Sequence, residues 1–337
     1  MERRRFVPKH FTLILTVSIV LFIACVLASL AFGARWLSLS ELAEGLKSLH
    51  SDTVTANILE KRWLRTIFGL CCGAALGIAG VLMQSVTRNP LADPSILGVN
   101  TGAALFVVCG MAFLRISTPQ EYIWLALSGA MFTAAFVFGI GSMGRGGATP
   151  LKLVLAGAAT TAALSSLITA VMIPRTFVMN QFRFWQVGSV GAGTWDSLLL
   201  LLPFLAVGAL AAIFCAPGLN ALALGDEAAR GLGVRTGWLR LIAAFAGVVL
   251  CGASTAVAGP ISFVGLLATH VIRLLLGPDL RFLIPMSALS GAVILTGSDV
   301  IGRIIGSPGE LEVGVVTAFV GAPILILLAM KAKVRSI

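Results

Sequence analysis

Two titratable side chains stand at the edges of long uncharged runs, His270 and Asp299, and their chemistry has to be explained first. An imidazole or carboxylate at membrane depth is the usual ion ligand or proton carrier of an ion-coupled transporter, which needs it near the bilayer midplane. Both lie towards the ends of their runs instead, and a lone histidine there packs more often than it relays protons. The apolar body therefore carries no evident energy source of its own. A third candidate is the polar stretch LNALALGDEAARGLGVRTGWLR (219–240), where Asp226 and Glu227 precede Arg230. That order puts acids in the first turn of a short helix and a base in its last, as the helix dipole favours, with Gly231 and Gly233 to end it. Its bland alternative is a solvated connector. The chain has no GxxxxGK[ST], HExxH, GxSxG or GxGxxG pattern, so a phosphate cradle, a hydrolytic zinc site and an activated serine are not expected. Cys25, Cys71, Cys72, Cys109, Cys215 and Cys251 sit inside apolar stretches without CxxC spacing and read as small packing residues. No enzyme activity, cofactor or metal is expected.

The elements that position these residues follow from composition. Of 337 residues 58% are hydrophobic and 11% charged, and the mean hydropathy is +1.00, which excludes a soluble globule. Charge-free runs occupy 11–34, 66–86, 95–114, 122–143, 153–173, 197–224, 241–272, 282–298 and 313–330. As one helix, 241–272 would be about 48 Å long against a hydrocarbon core of about 30 Å, and it contains Gly259-Pro260. It splits in two, so ten spans are expected. The first is longer than the apolar core of a signal peptide and reads as a retained span.

Ten spans put both termini on one side together with 87–94, 144–152, 225–240 and 273–281. Those segments hold 15 Lys and Arg against 5 acids, whereas the other side holds 9 of each. The positive-inside rule makes the termini cytoplasmic. The net charge of +10 therefore reports topology, and with no basic face or arm no nucleic acid partner is expected. Residues 35–65, with Glu41, Glu44, Lys47, Asp52, Glu60, Lys61, Arg62 and Arg65, suggest an outer amphipathic helix at the lipid interface, and 217–240 form a cytoplasmic segment opening on Pro217-Gly218. Small residues at 69 and 71–80 and again at 247–259 have the spacing that lets helix backbones touch in lipid. Gly73, Ala74, Ala79 and Gly80 also align with Gly252, Ala253, Ala258 and Gly259 in a span of opposite direction, a hint of an inverted repeat. Arg88-Asn89-Pro90-Leu91-Ala92-Asp93-Pro94, bracketed by prolines, reads as a rigid architectural turn.

Four stretches taken together, RNPLADPSILGVNTGAAL (88–105), LGDEAARGLGVR (224–235), GPISFVGLLATHVIRLLLGPD (259–279) and PGELEVGVVTAFVGAPILILL (308–328), resemble the FecCD-type permeases of ABC importers for iron-siderophores, haem and cobalamin. The resemblance covers the chain from about residue 60. It implies an all-α polytopic membrane protein with the ten-helix type II importer permease fold, residues 1–337 forming one permease domain. It further implies a second permease chain, two ATP-binding subunits that hydrolyse ATP, an extracytoplasmic substrate-binding protein and residence in the inner membrane lipid. It gives 217–240 the role of coupling to the ATPase, through Leu224, Gly225, Asp226, Ala229, Arg230, Leu232 and Gly233. On the outer face it places Arg62, Arg65 and Arg303 where the family grips acidic residues of the binding protein with exposed guanidiniums. Lipid-interface anchoring is the alternative role for those arginines. NQFRFWQVGSVGAGTW (180–195) resembles the siderophore branch more than the cobalamin branch, although Phe182, Phe184 and Trp185 could equally form an aromatic belt. Haem or cobalamin import is the alternative, and an ion-coupled carrier a more distant one.

Overall fold

The structure is a computed structural model and describes residues 10–33, 36–38, 40–42, 54–114, 116, 118–144 and 149–333. Among these residues the regular elements are all helical: α1 Phe11–Ala31, α2 Val54–Thr87, α3 Val99–Cys109, α4 Pro119–Ser142, α5 Pro150–Met172, α6 Thr176–Val187, α7 Trp195–Ala223, α8 Asp226–Gly231, α9 Thr236–Ala258, α10 Val264–Leu276, α11 Leu280–Ile305 and α12 Val313–Lys333. A 3₁₀ turn, Pro94–Leu97, precedes α3, and a π turn, Gly110–Leu114, extends it. Seven of the helices are long and apolar enough to cross a membrane, and three shorter apolar ones cover Val99–Leu114, Val264–Leu276 and Val313–Leu327.

Local sequence sets the helix starts. Before α4, Thr118 gives its N–H (3.2 Å) and hydroxyl (2.6 Å) to Glu121, with Pro119 at the first helical position. Thr149, Thr194 and Asp279 accept backbone N–H groups at the starts of α5, α7 and α11. The expected break at Gly259-Pro260 is present: α9 stops at Ala258, Gly259 (φ +73°) and Phe263 (φ +70°) turn the chain, and α10 starts at Val264.

Three boundaries differ from the sequence reading. α2 starts at Val54, not 66, so residues 54–65 extend a span rather than lie in a separate interfacial helix; 43–53 fall outside the described residues. Over 34 residues α2 is about 50 Å long and projects beyond a hydrocarbon core, which accommodates its charged first turns. α7 passes through Pro217-Gly218 to Ala223, as membrane helices tolerate proline where neighbours satisfy the freed backbone. The run 95–114 is interrupted by left-handed Gly98 (φ +72°).

The core is built on backbone contact. α2 and α9, the most deeply buried of the long apolar helices, pack together. One face of α2 carries a glycine at each turn against α11. A methyl on Gly73 would lie 2.4 Å from the Gly291 carbonyl oxygen, and one on Gly77 2.1 Å from that of Ser287. Gly80 touches α10 at Gly265 in the same way. Without a hydrophobic drive between helices in lipid, this close approach supplies the van der Waals cohesion.

Candidate functional site

The folded helices gather polar groups at two opposite ends of the bundle, and α2 reaches both. At the end bearing the start of α2, Asp299 of α11 is 2% exposed and lies between two arginines. Arg65 Nη2 donates to Asp299 Oδ1 at 2.7 Å and Nε to both carboxylate oxygens at 3.0–3.1 Å. Arg303, one turn along α11, places Nε 3.1 Å from Asp299 Oδ2. Arg65 Nη1 also reaches Glu310 Oε2, in the turn before α12, at 2.6 Å. The charge that stood out in the sequence is thus the buried counterion of an arginine pair.

Those arginines are not the exposed guanidiniums the sequence suggested. Arg62 is 8% and Arg303 2% exposed. The physical reason lies in α1, whose last turn has no basic residue and whose terminal carbonyls need donors. Arg62 Nη1 donates to Leu30 O (2.8 Å) and Ala31 O (2.9 Å), and Arg303 Nη1 to Ser29 O (3.0 Å) and Phe32 O (2.9 Å). Arg303 Nη2 adds a bond to Ser29 Oγ at 2.9 Å. The two side chains cap α1 and tie it to α2 and α11, and guanidinium at a helix C-terminus also meets the dipole favourably.

Beside this network opens a cavity of about 730 Å³. Lys61, Arg62, Arg65 and Arg303 line it together with Glu310 and Glu312, and α6 flanks it. Tyr122 accepts a hydrogen bond from Gln181 Nε2, joining the start of α4 to α6. Gln181 Oε1, Trp185 Nε1 and Glu312 Oε2 are buried without a hydrogen-bond partner among the described residues. The wall thus carries both cations and carboxylates, with one unmatched donor and two unmatched acceptors, and suits a polar group. The aromatic stretch divides its work: Phe182 is buried and stacks near Trp185 (5.7 Å between ring centres), while Phe184 points outward at the cavity rim. Tyr122, Gln181, Glu310 and Glu312 were missed as site residues. Tyr122 is the chain's single tyrosine, and Glu310 and Glu312 lie in the PGELEVG stretch, but nothing in spacing alone joins them.

At the opposite end, α8 stands between α7 and α9 as a single short helix. Gly225 (φ +117°) and Gly233 (φ +81°) make the turns on either side, and the Gly233 N–H closes on Arg230 O at 2.9 Å. Asp226 and Glu227 occupy its first turn and Arg230 its last, as read from the sequence. Asp226 holds the helix in place: Oδ1 accepts from Arg88 Nη2 at 2.8 Å and from Arg240 Nη2 at 2.9 Å. Ala229 packs inward, fully buried. Leu224 and Leu232 point out at 72% and 66% exposure, and Trp238 in the first turn of α9 is 64% exposed. Arg230 and Gly233 are exposed as well. The structure thus brings together all seven sequence-predicted residues of this segment, two holding the helix down and others presenting an apolar patch rimmed by charge.

A bundle of long apolar helices with a charged cavity at one end and a short exposed helix at the other fits a polytopic membrane permease. The chain belongs to the FecCD transport family, whose profile matches residues 21–331. It is 41% identical over 314 residues to the ferric enterobactin transport system permease protein FepD of Escherichia coli (strain K12), covering 93% of each chain. It is 38% identical over 319 residues to the "Probable siderophore transport system permease protein YfiZ" of Bacillus subtilis (strain 168), covering 95% of this chain and 96% of that one. Its fold matches a solved structure described as "An inward-facing conformation of a putative metal-chelate type ABC transporter", with a TM-score of 0.81 at 26% identity over 95% of this chain and 99% of the other.

Proposed function

We propose that this chain is the permease subunit of an ATP-driven importer that moves a ferric siderophore inward by alternating access. The observation that carries the reading is α8, a short helix pinned by Asp226 and presenting Leu224, Leu232 and Arg230 outward. Only Ala229 of this helix enters the core, and its exposed face suits a groove on a separate ATP-binding subunit. The siderophore assignment draws on the names of FepD and YfiZ, and selectivity itself rests chiefly with the binding protein. Seven long and three shorter apolar helices support ten crossings, and the excess of basic residues on the α8 side supports cytoplasmic termini in the inner membrane. Two ATP-binding subunits, a second permease chain and an extracytoplasmic binding protein complete the assembly.

The binding protein docks at the cavity, with Arg62, Arg65 and Arg303 as its positive wall. Because Arg62 and Arg303 also hold α1, reversing their charge would damage the fold before it reported on docking. Lys61 is the cleaner probe, since it is exposed and lines the same cavity. Lys61→Glu should slow binding-protein association several-fold at low ionic strength, roughly in the range set by rim charges, and leave thermal stability unchanged. An unchanged on-rate would move the contact elsewhere.

An ion-coupled carrier is disfavoured by the use of Asp299 as a counterion for Arg65 and Arg303. Coupling through α8 is tested by Leu224→Asp with Leu232→Asp. Co-purification of the ATP-binding subunit should weaken by on the order of tenfold or more, as loss of exposed anchors at an interface centre does. Wild-type recovery of the complex would remove α8 from that interface.

A further inference from the structure

The RNPLADP turn is rigid architecture, yet Arg88 at its start does something a turn does not require. It is the first residue beyond α2 and has φ +51°, a left-handed conformation that non-glycine side chains rarely adopt. At the end of a helix that position is normally a glycine's. Here the arginine uses it to aim its guanidinium across to the coupling segment, where Nη2 donates to Leu222 O at 2.8 Å and to Asp226 Oδ1 at 2.8 Å. Leu222 is in the last turn of α7 and Asp226 in the first turn of α8, so one side chain spans the hinge at Gly225.

The far end of the same helix is fixed by Arg65 to Asp299 and Glu310 at the cavity. Between the two arginines α2 is one uninterrupted helix, packed backbone to backbone on α11 and α10. A displacement at the cavity therefore has a stiff path to α8, and its final link is the Arg88 guanidinium. Arg240 also holds Asp226 from α9, whose last turn lines the cavity at Ala256, Val257 and Ala258, but α9 lacks the arginine–carboxylate anchor that fixes α2 there.

We infer that Arg88 is a positioning residue that couples α2 to the ATPase-facing helix, so that binding-protein docking at the cavity is felt at α8. This rests on the proposed docking and coupling roles of the two ends. The test uses the whole transporter, with its ATP-binding subunits and binding protein, in proteoliposomes. Arg88→Gly supplies the residue the left-handed turn prefers, which offsets the lost bonds to Leu222 and Asp226, and Arg240 still holds Asp226 while the link to α2 is cut. The expected result is unchanged thermal stability and ATP-binding-subunit recovery, with stimulation of hydrolysis by the binding protein lowered by on the order of fivefold or more, the usual size of a lost site-to-site coupling. Arg88→Lys, which keeps a cation within reach of Asp226, should restore most of it. Wild-type stimulation in Arg88→Gly would overturn the inference, as would failure of that variant to hold the ATP-binding subunit, which would make Arg88 a docking support. The underlying reading has its own control: if Leu224→Asp with Leu232→Asp leaves the complex intact, α8 is not the coupling helix, whatever Arg88 does.

Discussion

Replacing Asp299 with alanine should destabilise the permease by about 3–5 kcal/mol, the cost of leaving buried charge uncompensated. The substitution strips the shared carboxylate from Arg65 and Arg303, and Arg303 is only 2% exposed. Arg303 would also be less able to keep its hold on the Ser29 and Phe32 carbonyls, so α1 should loosen from the bundle. Thermal unfolding in detergent, followed by tryptophan fluorescence, should show a large fall in midpoint and a broadened transition. Asp299→Glu, which keeps the charge, should recover part of the loss. Near wild-type stability in Asp299→Ala would mean that the arginines find solvent or other partners, and the network would lose its structural role.

The second large effect concerns the glycine face of α2. Gly77→Leu would drive a side chain into the backbone of α11, where even a single methyl lies 2.1 Å from Ser287 O. No rotamer relieves a clash between Cβ and a backbone carbonyl, so the helices must separate. Overpacking of this kind typically costs about 1–3 kcal/mol, and more where backbone must move. Combined with Gly73→Leu, whose Cβ faces Gly291 O, the change should abolish monodisperse folded permease on size-exclusion chromatography. The substitution Gly139→Leu, at a site where a Cβ meets nothing within 4 Å, is the matched control and should be tolerated.

How much of this was legible beforehand depended on whether the cause was local. The break at Gly259-Pro260, the caps at Thr118 and Asp279 and the charge order of Asp226, Glu227 and Arg230 are settled within a few residues of chain, and reading along the sequence finds them. The arginine network is not of that kind. Arg65 meets Asp299 across 234 positions and Arg303 meets Ser29 across 274, so the sequence offers cations near an interface but not the helix end they serve. Exposed docking side chains were the natural expectation, and the need of α1 for C-terminal donors is what buries two of them. The start of α2 at Val54 was hidden for a related reason: charged residues in its first turns look like the end of a span when span length is judged by hydropathy alone. Arg88 stands in a recognisable turn, but its significance depends on φ and on Asp226, neither of which a proline-bracketed motif reveals.

The bundle has no engine of its own and is driven through α8 in the proposed mechanism. The most direct test is uptake of a ferric siderophore into proteoliposomes, with the permease reconstituted alone or with ATP-binding subunits and binding protein, in the presence of imposed proton or sodium gradients or of ATP. Accumulation only in the complete system with ATP is the predicted result. Uphill accumulation by the permease alone, under any ion gradient, would contradict it.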